Sequence, residues 1–364
     1  MNRTFLLRSS LRRLPVQPQH RRALHSFEKV DEARAHCHKQ LELHDYDAHL
    51  IRRLIPRQAQ DVYVALRALN LELARIPEAV SNPTLGAMRI KFWKDAINNT
   101  FSGRGTREPI STLLGSTAQQ LEETTGRQTR QTVKFWTSRL IQTREKHLDN
   151  PPFTNMASLE DYAENIYSTM MYATLAAIPI RSIDMDHLAS HIGKAAGIAA
   201  VLRSIPQLVA PQIKRSPNAG AVSSVTKEPT LLLPLDVMAE HGVKEEDVFR
   251  HGPQAEGLSE AIFTVATRAN DHLITAREMM KRLRAGQGAG HDFEHQHDTE
   301  HMDDISTGNV NSDIEASFGV LIEAVPVNHF LDNLQAADFD PFAVKPPGWK
   351  GPWRLWKATS SKNF

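Results

Sequence analysis

The stretch Val62-Tyr-Val-Ala-Leu-Arg-Ala-Leu-Asn-Leu-Glu-Leu-Ala-Arg-Ile76 decides how this chain folds. Val62, Leu66, Leu69, Leu73 and Ile76 recur at helical spacing, which predicts a helix with one apolar side in a core. Tyr63, Arg67, Asn70 and Ala74 form a neighbouring stripe on the same helix, and function is to be sought there.

Outward from it, the pattern stays helical. His36 to Ile51 supplies opening helices that Pro56 closes, and Pro83 stands at the first position of a helix over Leu85 to Thr100 that Gly103 stops. Further helices are predicted from about Pro109 to Thr124 and Gln128 to Leu148, with Pro151-Pro152 ending the second. Ser158-Leu-Glu-Asp161 reads as an approximate capping box opening Leu159 to Leu175. His187 to Ile205 carries a stripe of Ala189, Gly193, Ala196, Gly197 and Ala200, which suits either close helix packing or room for a ligand. Residues 206 to 229 hold four prolines and read as a loop. Leu231 to Asp236 re-enters the core, Leu258 to Leu283 is a long helix on which Phe263, Ala266, Ala269-Asn270 and Leu273 match helical spacing, and Asp313 to about Leu334 closes the helical part.

The chain has 364 residues, 41% of them hydrophobic and 7% aromatic, enough for one large helical core. A net charge of +1 gives no argument for nucleic acid as a partner. The single cysteine, Cys37, excludes an intramolecular disulfide and a cysteine-rich zinc site, and suits a core position. No segment after the start reaches the roughly 18 apolar residues of a membrane span, the nearest being Met170 to Ile180. Residues 1–25 carry Arg3, Arg8, Arg12, Arg13, Arg21 and Arg22, and no acid precedes Glu28. That is the composition of a mitochondrial transit peptide, with a disordered basic arm as the alternative.

Residues 285–311 turn glycine-rich and then histidine- and acid-rich, with His291, His295, His297 and His301 close together. Imidazoles at that density suit zinc or nickel, but the low-complexity flanks supply no scaffold, so a disordered insertion is expected and no metal ligand is assigned. The tail, 341–364, interleaves Phe342, Trp349, Trp353 and Trp356 with Lys345, Lys350, Arg354, Lys357 and Lys362, and contains no acid. Tryptophan beside cations suits a lipid headgroup interface, with Trp349, Trp353, Arg354 and Trp356 as its core. The tail also suits packing back on the domain through its tryptophans.

The focal helix, Met88-Arg-Ile-Lys-Phe-Trp-Lys-Asp-Ala-Ile97, Gly193 to Arg203 and Leu231 to Asp236 together resemble the squalene/phytoene synthase family, over roughly residues 30 to 335. Its members build C30 and C40 isoprenoids from prenyl diphosphates. The resemblance implies an all-α fold, a single helical domain of the isoprenoid-synthase type (26–340, interrupted by 285–311), with helices 62–76 and 187–205 facing each other across a central cavity. The candidate pocket is Tyr63, Arg67, Asn70, Arg89, Tyr167, Gly197 and Arg203, the arginines needing an anionic ligand or an internal carboxylate such as Glu72 as partner.

Such enzymes hold magnesium with aspartates paired at i and i+4 on one helix face, because hard divalent cations take carboxylate oxygens. In this sequence the first pair falls on Asn70 and Ala74 and the second on Ser204 and Leu208. Where the enzymes place small residues against the substrate chain, this sequence has Ile166-Tyr-Ser-Thr-Met-Met171, which either fills that tunnel or repacks neighbouring helices. With the basic amino terminus, this combination resembles the mitochondrial branch of the family, whose known members are assembly factors for respiratory complex I (NADH dehydrogenase) at the matrix face of the inner membrane. A non-catalytic assembly factor is therefore expected, with no cofactor and no catalytic residue. Its partners would be complex I subunits or assembly intermediates, a peripherally bound membrane surface and a lipid-like ligand. The alternative is a divergent prenyltransferase whose metal site is rebuilt from Glu72, Glu78 and Asp95, although Glu72 lies about 200° round the helix from Asn70.

Overall fold

The computed structural model describes residues 18–80, 82–105, 107–180, 182–210, 212–214, 224–227, 229–287, 310–345 and 348–364. Residues 1–17 of the expected targeting segment and 288–309 of the histidine-rich insertion lie outside the described residues.

The opening half is α1 (Pro18–His44), α2 (Tyr46–Ile51), α3 (Arg57–Ala79), α4 (Pro83–Phe101), α5 (Pro109–Thr125) and α6 (Arg127–Lys146). α3 is the focal helix, and it is buried on more faces than its periodicity predicts: Tyr63, Val64, Ala65, Ala68 and Asn70 join the apolar stripe in the core. It lies against α1, α4, α5, α6 and, further along the chain, α8. A helix enclosed on so many sides is held by its surroundings and tolerates Pro77 in its last turn. Pro83 opens α4 as expected, with Asn82 capping it by accepting from the Thr84 amide.

The second half begins with α7 (Met156–Ala163), a π-helical turn (Glu164–Ser168) and α8 (Thr169–Ala176). The capping box sits three residues earlier than expected, as the Asn155 side chain accepts from the Ser158 amide while Ser158 Oγ accepts from the Asn155 amide. Asn is as good an N-cap as Ser, and its side chain here reaches the third helical position. α9 (Ile183–Val209) is the central element of this half, and α7, the π turn, α8, α12 (Leu258–Arg284), α13 (Val310–Leu321) and α14 (Ala324–Ala336) all lie on it. It runs past Pro206, so the predicted loop starts four residues later, at Ala210, and a short antiparallel hairpin pairs 212–214 with 224–227. α10 (Leu235–Glu240) and α11 (Glu245–His251) lead to α12, and α15 (Lys350–Ser361) ends the fold. The helical spacing on α12 holds, with Ala266, Ala269 and Leu273 buried and Phe263 exposed and set edge-on to Phe339.

Among the described residues α9 is long and apolar enough to cross a membrane, with mean hydropathy 1.2 over its best window, whereas no span is expected after the amino terminus. Its Ile, Val and Leu side chains raise that average, and 56% of the window is buried inside the fold, the environment of a core helix. The small residues of α9 set how closely it approaches the π turn: a Cβ on Gly193 would stand 2.4 Å from the Ser168 Cα and amide nitrogen, and one on Gly197 would stand 2.6 Å from the Ala163 Cα.

Candidate functional site

Two clusters of polar side chains are built on α3. In the first, Arg67 is enclosed, its side chain 11% exposed. Its Nε and Nη2 lie 3.0 and 2.7 Å from Asp45 Oδ2, and its Nη1 3.7 Å from Glu323 Oε2. Tyr63 OH donates to Glu323 Oε1 at 2.5 Å. Asp45 sits at the kink between α1 and α2, where it also caps α2, and Glu323 sits at the kink between α13 and α14. Arg67 therefore ties the beginning of the fold to its end. Burial opposes the guanidinium's charge, but Asp45 and Glu323 outweigh it and hold Arg67 firmly protonated. Burial pushes the Glu323 carboxyl up from its ordinary value, against the pull of Arg67 and the Tyr63 hydroxyl.

The space beside this cluster is bounded by Tyr63, Arg67, Tyr167, Met170, Met171 and Glu323, with Thr174, Ala196 and Val320 completing the wall. About 10 Å³ remains there, the room of a single water molecule. α8 lies between α3 and α9, and Met170 and Met171 occupy the space between them. Flexible thioether side chains are well suited to filling such a gap.

The second cluster centres on Asn70, which is 6% exposed. Arg144, on α6, donates from Nε and Nη2 to Asn70 Oδ1 at 3.1 and 2.6 Å and from Nη1 to Tyr162 OH at 2.8 Å. The guanidinium carbon lies 5.7 Å from the centre of the Tyr162 ring. A cation is thus already seated on the side chain that the sequence resemblance sets against a metal-binding aspartate. The residues here do not fit a divalent metal: Asn70 offers one neutral oxygen, which Arg144 takes, and Ala74 offers no ligand atom. Ser204 turns its hydroxyl to the carbonyl of Val201, and Leu208 has none. Among the described residues no three His, Cys, Asp or Glu side chains gather as a metal site.

Restoring the acid tests this reading. Asn70→Asp is expected to form a charge-assisted pair with Arg144 and to raise stability by about 1 kcal/mol. The melting temperature of the variant should not rise further with magnesium. A magnesium-dependent increase would mean that the carboxylate faces a metal position.

The remaining expected pocket residues are placed differently. Tyr167 and Gly197 meet at the crossing of α9 with the π turn, where Tyr167 Cδ2 would stand 3.0 Å from a Cβ on Gly197. Arg203, 40% exposed, reaches Asp47 at 3.5 Å and the Pro326 carbonyl at 3.0 Å, and lies over the Phe330 ring. Arg89 is exposed on α4 and does not join either cluster. The partners of the buried arginine are Asp45 and Glu323, not Glu72. Asp45, Arg144, Tyr162 and Glu323 had no signal in the sequence, because nothing local in those stretches marks a residue whose partner is tens or hundreds of positions away.

This bundle has the isoprenoid-synthase arrangement. A dehydrosqualene synthase solved in complex with ligand matches it with a TM-score of 0.64 at 14% identity, over 93% of this chain and 98% of that one. A squalene synthase from Alicyclobacillus acidocaldarius matches with a TM-score of 0.59 at 12% identity, over 86% and 97% of the two chains. The chain belongs to the squalene/phytoene synthase family, which matches residues 41–357. Among its curated relatives, the Rattus norvegicus protein "NADH dehydrogenase (ubiquinone) complex I, assembly factor 6" is 29% identical over 334 residues, 91% of this chain and 83% of that protein. The Drosophila melanogaster homolog of that factor is 32% identical over 252 residues, 68% of each chain.

Proposed function

We propose that this protein is a non-catalytic mitochondrial assembly factor for respiratory complex I. The observation that carries the reading is the likeness, along 91% of the chain, to relatives named as complex I assembly factors. The geometry of the site agrees with it: a guanidinium is seated on Asn70, and about 10 Å³ is left between α3 and α8, against the several hundred cubic ångströms that a small-molecule site needs. On this reading the old prenyl-synthase scaffold presents a surface to complex I subunits or assembly intermediates, and the pocket residues around Arg67 and Asn70 hold that scaffold together. Residues 1–25 carry the protein into the mitochondrion, 26–340 form the family domain with 285–311 as an insertion, and 341–364 form a tail that meets the matrix face of the inner membrane.

A deletion strain tests the proposal. Isolated loss of assembled complex I, with the other respiratory complexes at normal levels, is expected on native gels. Purified protein given farnesyl or geranylgeranyl diphosphate with magnesium is expected to form no product, and product formation would overturn the non-catalytic reading.

A further inference from the structure

Trp349, Trp353 and Trp356 stand at i, i+4 and i+7 along the carboxy-terminal helix, a spacing that puts all three on one side. They are 76%, 49% and 66% exposed, while Leu355 and Ala358 on the opposite side are buried. The usual arrangement is thus divided between two surfaces: small aliphatic groups face the domain and the largest apolar side chains face outward. The tail does pack back on the domain, but not through its tryptophans.

The helix is fixed in this orientation. Arg354 Nη1 pairs with Asp332 Oδ2 at 2.7 Å and Lys362 Nζ with Glu315 Oε2 at 3.2 Å. Arg277 Nε donates to the Phe364 carbonyl at 3.0 Å, and Arg284 donates to that of Lys362. Two cations of the segment are thereby turned to the domain. Lys345 and Lys350 are exposed, and Lys357 lies over the Trp353 ring with its Nζ 5.6 Å from the centre. No carboxylate side chain follows Asp340. The outward face is therefore aromatic with a cationic edge and has no acidic side chain of its own segment beside it.

We propose that α15 is the docking element for an anionic lipid bilayer, with the three indoles seated at headgroup depth and Lys350 and Lys357 against lipid phosphates. An indole has an apolar body and one N–H donor, so it is stable half in water, and ammonium groups meet anionic phosphates at the same depth. A protein partner would also accept three indoles. The cation edge without interspersed acids favours a surface of uniform negative charge, since protein surfaces mix both signs. The inference rests on the proposed function only for which membrane is met. The docking itself is independent of it.

The full chain is mixed with sedimentable vesicles of phosphatidylcholine plus cardiolipin, or of phosphatidylcholine alone. Co-sedimentation is expected with the first at low salt, weakening as salt is added, together with a blue shift of tryptophan emission. Lys350→Glu with Lys357→Glu should weaken binding at least about twenty-five-fold, from about fivefold per cation. Trp349→Ser, Trp353→Ser and Trp356→Ser together should abolish it, at about tenfold or more per indole. The changed residues are exposed, so circular dichroism and melting should match the parent protein. Failure of the parent to sediment with anionic vesicles, or equal sedimentation of the triple variant, overturns the proposal. A normal complex I profile in the deletion strain would instead sink the assembly-factor reading and leave the vesicle result standing.

Discussion

Replacing Arg67 with methionine is expected to lower folding stability by roughly 3–5 kcal/mol. Methionine keeps much of the volume and removes the charge, so the loss is electrostatic. Asp45 and Glu323 would then face one another's field in a site where Tyr63 is 4% and Glu323 5% exposed, with only the Tyr63 hydroxyl still donating to Glu323. Glu323 already titrates above its ordinary 4.5 through burial, and loss of Arg67 removes the main pull in the other direction. A carboxyl whose folded value is raised binds more protons folded than unfolded, so stability falls as pH rises from the unfolded value through the folded one. The deficit of Arg67→Met should therefore shrink as pH falls through the raised folded value toward the ordinary 4.5. Urea unfolding at two pH values reads it directly. Adding Glu323→Gln to Arg67→Met should recover part of the loss, and a purely additive result would show that the two side chains do not interact.

This network explains how much of the fold the sequence made legible. Periodicity marked α3 because Val62, Leu66, Leu69, Leu73 and Ile76 are sufficient to define a buried side. It also marked Tyr63 and Arg67 as a separate stripe. The partners stayed hidden, since Asp45 falls inside the stretch read as opening helices and Glu323 inside the closing helical part, and their convergence depends on how distant elements pack. Asn70 shows the same limit. The sequence resemblance set it against an aspartate of the family, whereas the arginine that occupies its oxygen comes from residue 144, on a helix whose composition gives no hint of it. Arg89 failed as a pocket residue for the converse reason: it neighbours a well-matched motif, but its turn of α4 puts it on the solvent side, next to the exposed Met88. The tail lay between these cases. Its composition suggested both contact with the domain and an outward interface, and the helical spacing of Trp349, Trp353 and Trp356 separates the two faces.

Gly193→Ala is expected to be the second severe change, costing about 3 kcal/mol although alanine is ordinarily favoured over glycine inside a helix by about 1 kcal/mol. The cause is the π turn. One extra residue in that turn bulges its backbone toward α9, where Ser168 Oγ also donates to the Ser190 carbonyl at 3.1 Å. An alanine methyl at position 193 would lie 2.4 Å from the Ser168 nitrogen and Cα. Those are backbone atoms that no rotamer change can move aside, so α9 and the turn would have to separate and open the packing around Ile166 and Ile198. Gly86→Ala supplies the comparison. Its added methyl would meet the Leu148 side chain at 3.2 Å, which can rotate away, so helix propensity should leave that variant close to neutral. The two substitutions are chemically identical, and thermal unfolding of both separates close backbone approach from propensity. If Gly193→Ala melted with Gly86→Ala, the contact between α9 and the π turn would be looser than 2.4 Å implies.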